Sequence, residues 1–273
     1  MKIGSREFDV KSHTYIMGIL NLTPDSFSDG GKYNRLDDAL FHVEEMLKEG
    51  MDILDIGGES TRPGYTLISE AEEIERVVPI IEEVKKRFDV PVSLDTYKAG
   101  VAGEGLKAGA DLINDIWGLK YDGKMAEVIA EKNVPCILMH NRKEPDYKNF
   151  LEEVKADLGG SIELAKKAGI SIDKIILDPG VGFGKTYEHN LQIIKSLEQL
   201  YQLGCPLLLG PSRKSVIGLT LDLPAGERVD GTIVTTVFGV ISGCAFVRVH
   251  DIKENLRAVK MAEAILKSGR TGD

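Results

Sequence analysis

The sequence predicts an α/β chain folded as one closed (β/α)8 barrel of the TIM type. Three observations predict it: eight short apolar runs, an amphipathic stretch behind each, and a polar residue at the end of nearly every run. The runs are residues 14–20, 52–58, 91–96, 111–116, 135–140, 174–180, 206–212 and 245–250. Each is nearly continuous in apolar residues and bounded by Gly, Pro or Asp, as expected of parallel strands buried on both faces. Helical spacing follows. Residues 36–49 repeat apolar side chains at Leu36, Ala39, Leu40, Val43 and Leu47. Residues 69–87 open on Ser69 as a cap, with Glu72 placed to complete a capping box. Further helices are expected over 98–108, 123–132, 149–168, 188–203, 229–243 and 252–267. An open doubly wound sheet is the alternative for the same alternation.

Composition narrows the class. The chain has 273 residues with 42% hydrophobic content, which suffices for one large core. No linker or low-complexity tract divides it, so residues 1–273 read as a single domain; such barrels run to roughly 250 residues as one unit. The net charge of −9 argues against a general nucleic-acid partner, which needs a basic face. It leaves room for a small anion held by a few local cations. The opening MKIGSREFDV has no signal-peptide core, and no run of about 18 apolar residues suggests a membrane span. Cys136, Cys205 and Cys244 are scattered, without a CxxC pair, and read as buried thiols in a reducing cytoplasm.

In this fold the chemistry sits at the C-terminal ends of the strands. The predicted strands end, in order, at Asn21, at Gly57-Gly58-Glu59, at Asp95, at Asn114 and Asp115, and at His140. The remaining three end at Asp178, at Ser212-Arg213-Lys214, and at Arg248 and His250. Any one of these is as readily a loop residue or a helix cap; a set around one rim points to a site. Asp95, Asn114 and Asp178 offer acceptors for a ligand edge rich in N–H groups. Lys214, Arg248 and His250 suit a phosphate-type group, with Arg able to grip two oxygens. The residues alone therefore predict a polar heterocycle joined to an anion.

Several motifs fail on spacing. GVGFGKT, residues 180–186, resembles a phosphate-binding loop, but Pro179 stands where its first glycine is required, and GVGFG misses the dinucleotide fingerprint. No HExxH or paired Cys/His spacing suggests zinc, and no GxSxG elbow suggests a serine nucleophile. His13, His42 and His189 lie outside the strand ends and read as surface or capping residues.

Four segments carry a family resemblance: GILNLTPDSFSDGG at 18–31, GGESTRPG at 57–64, GPSRKSVIG at 210–218 and RVHD at 248–251. In this order they resemble the dihydropteroate synthases almost letter for letter. The resemblance implies condensation of (7,8-dihydropterin-6-yl)methyl diphosphate with 4-aminobenzoate, giving 7,8-dihydropteroate and diphosphate in folate synthesis. It implies that Asp95, Asn114, Met139, Asp178, Phe183, Lys214 and Arg248 bind the pterin. Asn21, Thr61, Arg248 and His250 would bind the diphosphate, with Asn21 as a direct ligand of Mg²⁺. Phe27, Thr61, Pro63, Ser212 and Lys214 would bind 4-aminobenzoate, Ser212 lying close to a helix start at Arg213. Asp25, Lys214 and Arg248 would act in catalysis. It also implies a homodimer joined through late helices, which the Gly/Val/Ile-rich stretch 231–244 allows, and membership of a family that is a sulfonamide target.

Met139 and Phe183 are equally compatible with plain barrel core. Two departures from the family pattern lie beside the expected pocket: MHNRKEPDY after the fifth run, and Trp117 after Asn114-Asp115. The alternatives are a pterin-binding methyltransferase and a non-catalytic pterin-binding paralogue. The first shares the acceptor set but lacks the TPDSFSDGG and SRKS loops. The second should have lost Asn21, Arg62, Lys214 or Arg248, and all four are present.

Overall fold

The computed structural model describes residues 1–22, 32–60 and 67–268, with side chains in the first helix from Leu36 onward. An antiparallel hairpin of β1 (Lys2–Ile3) and β2 (Arg6–Glu7) opens the chain. Strands and helices then alternate: β3 (Tyr15–Asn21), α1 (Lys32–Glu49), β4 (Ile53–Gly57), α2 (Glu70–Arg87), β5 (Val92–Asp95) and α3 (Ala99–Ala108). They continue through β6 (Leu112–Asp115), α4 (Met125–Lys132), β7 (Cys136–Met139), α5 (Phe150–Lys167), β8 (Ile175–Asp178) and α6 (Tyr187–Lys195). The last elements are β9 (Leu208–Leu209), α7 (Ser215–Leu221), α8 (Val229–Ile241), β10 (Phe246–Val249) and α9 (Ile252–Lys267).

The eight strands β3–β10 pair in parallel in the order β8-β7-β6-β5-β4-β3-β10-β9. A bridge between Leu177 and Leu207 joins the two ends, with Leu177 N donating to Pro206 O at 2.9 Å. The sheet thus closes into the predicted barrel, and the open doubly wound alternative fails.

Alternation along each strand explains why the runs are apolar throughout. In β7, Cys136 and Leu138 pack toward the helices, while Ile137 belongs to the separate cluster inside the barrel. That inner cluster also holds Met17, Ile53, Leu112, Ile176, Leu208 and Phe246, with Ile3 and Phe8 of the hairpin segment closing its floor. Phe8 meets Phe246 at a ring separation of 5.8 Å. Two residues further along the same strands, the inward positions change character. Ile53 gives way to Asp55, Leu112 to Asn114, Ile176 to Asp178 and Phe246 to Arg248.

The helix reading needs three corrections. The stretch 188–203 is not continuous: α6 stops at Lys195, Ser196 leaves helical geometry (φ −117°, ψ 24°), and a tighter 3-10 segment covers Leu197–Leu203. The helix expected to start at Arg213 starts at Ser215 instead. Lys214 is its extended N-cap residue, and Arg213 sits at φ +57°. This helix, α7, is only seven residues long, too short for periodicity to separate it from the helix after it. At α2, Ser69 Oγ caps Glu72 N at 3.2 Å, while the Glu72 carboxylate pairs with Arg76. His189 is a capping residue, closing a reciprocal box with Thr186. Among the described residues no helix is long and apolar enough to cross a membrane.

Candidate active site

Arg248 organises one side of the barrel mouth. Its Nε donates to Asp55 Oδ2 at 2.6 Å and its Nη2 to Asp95 Oδ2 at 2.7 Å. Asn114 Nδ2 lies 3.4 Å from Asp55 Oδ1. Burial opposes the guanidinium charge, but Asp55 and Asp95 outweigh it and hold Arg248 above its ordinary range. Burial pushes the Asp95 carboxyl up to about 7, against the pull of Arg248 and with a further push from Asp55. Asp55 is the residue that sequence reading missed. It is fully buried at the centre of this network and comes from the middle of an apolar run, DILDIGG.

Asp178 and Lys214 form the other side. Asp178 Oδ1 accepts from Gly180 N at 2.7 Å. Lys214 Nζ donates to Val181 O at 2.5 Å and stands 4.7 Å from the centre of the Phe183 ring. Burial lowers the Lys214 ammonium to about 8, although Asp178 and Asp95 pull it back up. The same burial raises Asp178. The two sides meet at Gly210. A Cβ there would lie 3.7 Å from both Arg248 Cβ and Asp178 Oδ2, in ordinary contact with each. Met139 packs with Tyr97 and Ile116, with Phe183 and Trp117 against them, as an apolar wall at the mouth. Asp95, Asn114, Asp178, Lys214 and Arg248 therefore gather at one end of the barrel, with Met139 and Phe183 beside them.

A match to the pterin-binding enzyme family spans residues 17–250. The dihydropteroate synthase of Clostridium beijerinckii is 60% identical over 268 residues, covering 98% of this chain and all of that one. That of Bacillus subtilis is 55% identical over 259 residues, covering 95% and 91%. The crystal structure of the dihydropteroate synthase of Clostridium difficile in the presence of pteroic acid superposes with a TM-score of 0.93. It is 50% identical and covers 95% of this chain and 99% of that one. The chain belongs to the dihydropteroate synthases.

The remaining residues of the site sort by what they touch. Asn21 ends β3, half-exposed, in register with Gly57, which is itself paired with Asp95. Ser212 is buried and its Oγ meets His250 Nδ1 at 2.9 Å, so these two sit together at the ends of β9 and β10. Neighbouring Arg213 is clamped by Asp251 through Nε at 3.0 Å. Three strand-end residues serve as support. Asp115 accepts from Trp117 N and Leu119 N at 2.8 and 2.7 Å and so holds a turn. His140 lies fully buried behind the mouth, against Asp157. Glu59 accepts Lys98 Nζ at 2.7 Å and Ile68 N at 3.0 Å, which fastens the far end of the second loop. Asp25, Phe27, Thr61 and Pro63, with Arg62, lie outside the described residues.

The donor set fits Mg²⁺ in a limited way. Among the described residues no cluster of three or more His, Cys, Asp or Glu side chains provides a metal cage. Asn21 offers one neutral hard oxygen at the mouth. That suits an ion usually held by few protein ligands plus substrate oxygens and water.

Proposed function

We propose that the upper interior of this barrel binds the pterin substrate by its N–H-rich edge and holds the diphosphate for departure. The observation that carries the proposal is the single ring of inward-facing polar residues, with acceptors Asp95, Asn114 and Asp178 beside cations Lys214 and Arg248. The carboxylates orient the heterocycle through parallel N–H contacts. Met139 and Phe183 supply flat apolar contact for the ring.

The reaction breaks the bond between the pterin methylene carbon and a diphosphate oxygen, and forms a bond from that carbon to the amino nitrogen of 4-aminobenzoate. The amine loses one proton and diphosphate departs with the bonding pair. Bond breaking leads, because the pterin ring delocalises positive charge at the methylene. Arg248 and His250 neutralise charge accumulating on the leaving group, the former already fixed by Asp55 and Asp95 and so needing little reorganisation. Asn21 would hold Mg²⁺, which would supply further charge neutralisation at the diphosphate. The arylamine is nucleophilic without a strong base. Ser212, positioned by His250, and Lys214 receive the 4-aminobenzoate carboxylate. Thr61, Phe27 and Pro63 complete that subsite, Thr61 also contacts the diphosphate, and Asp25 stabilises the cationic methylene.

A homodimer through the late helices belongs to the same reading. Val234, Phe238 and Ile241 repeat at helical spacing on α8 and are all exposed, as are Met261 and Ile265 on α9. A cytoplasmic location rests on three buried free thiols, Cys136, Cys205 and Cys244.

The test is a pyrophosphate-release assay with both substrates, with and without added Mg²⁺. Release that requires both substrates and is accelerated by Mg²⁺ is expected. Release from the pterin diphosphate alone at the same rate would make the chain a hydrolase and overturn the assignment.

A further inference from the structure

Lys185 is the lysine of the GVGFGKT segment whose spacing excludes a nucleotide loop, and the reaction above gives it no role. Its surroundings are nonetheless built with care. The ammonium has three donors and meets three acceptors: Gly180 O at 2.9 Å, Phe183 O at 3.0 Å and His140 Nδ1 at 2.8 Å. Burial lowers the Lys185 ammonium to about 7 and, with that cation beside it, lowers the His140 imidazole to about 3, so the ring is neutral and carries one proton. Since Nδ1 accepts from Lys185, that proton sits on Nε2, which faces Asp157 Oδ2 at 3.1 Å. Asp157 also accepts Arg142 Nε at 2.7 Å. The chain of contacts Asp157–His140–Lys185 thus ends on the backbone of residues 180–183.

That backbone is what the pocket leans on. Gly180 N orients Asp178, Val181 O receives Lys214, and Phe183 supplies its ring. The loop is pressed against the end of β7: Gly180 has φ +71°, and a Cβ there would lie 1.9 Å from His140 O. We propose that Lys185, fixed by His140 and Asp157, is a positioning residue for the pterin, holding the 180–183 loop where Asp178, Lys214 and Phe183 converge. Lys185 touches the loop rather than the mouth, with His140 and Asp157 behind it; Asp178 and Phe183 serve the pterin alone and Lys214 serves both substrates, so the effect falls chiefly on pterin binding, while the Ser212–His250 contact of 4-aminobenzoate lies on other strands.

This role rests on the site assigned above, and steady-state kinetics with each substrate varied in turn tests it. In Lys185→Met the KM for the pterin diphosphate should rise at least ~tenfold, while that for 4-aminobenzoate moves less than ~threefold. Asp157→Asn, at a half-exposed position, should shift the same KM in the same direction by a smaller factor, and it decides the matter if Lys185→Met does not fold. Equal rises in both KM values, or no rise in the pterin KM, overturn the role. Wild-type turnover is the control. Its absence would overturn the reaction itself, and the affinity of the same variants for pteroic acid would then decide the positioning role.

Discussion

The floor and the mouth of this barrel are built by the same strands, two residues apart. Phe246 and Arg248 share a face of β10, Ile53 and Asp55 a face of β4, Ile176 and Asp178 a face of β8. The floor is closed by Ile3 and Phe8 and is apolar apart from the buried Ser93 hydroxyl; the mouth gathers three carboxylates, an amide and two cations within hydrogen-bonding reach of one another or of the same loop. The comparison teaches that one period of strand alternation separates cohesion from chemistry. Buried charges cost stability, and here they are stacked on a layer that supplies it. A hollow alone does not locate the site. A hollow of about 880 Å³ opens at the floor end, lined by Lys2, Glu7, Lys11, Asp111, Asp173 and Lys174 among others. Asp111 there pairs with Lys85, and Lys174 donates to the Asn133 carbonyl.

Breaking each layer separately should break different properties. Phe246→Ala in the floor should cost about 3–5 kcal/mol of stability, read by urea unfolding, and leave both KM values near those of the wild type. Arg248→Ala in the mouth should lower kcat/KM by at least ~tenfold, equivalent to about 1.4 kcal/mol of transition-state stabilisation. Near-normal turnover there would remove the mouth from the mechanism. Asp55→Asn keeps the shape but weakens the support of Arg248, and a loss of a few-fold in kcat with a smaller change in KM is expected.

The smallest effect is a pH profile. Asp95 has a raised pKa, so its carboxylate is present above about 7 and lost as pH falls through that value. Lys214 has a lowered pKa, so its ammonium is present below about 8 and lost as pH rises. A plot of kcat/KM for the pterin diphosphate should therefore peak between those limits. In Arg248→Ala the acid limb should move upward, because the guanidinium holds Asp95 down. A flat profile from pH 5.5 to 9.5 would separate these groups from pterin recognition.

Most of the barrel could be read from the chain because its signal is local: short apolar runs and helical spacing. The hairpin floor, α7 and the break at Ser196 could not, because each is shorter than the window over which periodicity declares itself. The site was legible where a polar residue both ends a run and faces inward, as Asp95, Asn114, Asp178 and Arg248 do. Scanning strand ends without counting parity swept in Asp115, whose neighbour Asn114 already occupies the inward position. The same scan passed over Asp55, which sits mid-run, pairs in register with Ser93 and lies two residues before Gly57. Counting in twos from the end of β4 would have found it. His140 and Glu59 end their runs as the pattern requires, but their partners Asp157, Lys98 and Ile68 come from distant segments that no local reading supplies.

The central claim is that a pterin sits among the inward side chains of the barrel mouth, and calorimetric titration with pteroic acid tests it most directly. The wild-type chain should bind, and Asp178→Ala should weaken the affinity by at least ~tenfold, since it removes a buried acceptor from the ligand's N–H edge. Equal affinity in the two proteins would contradict the account.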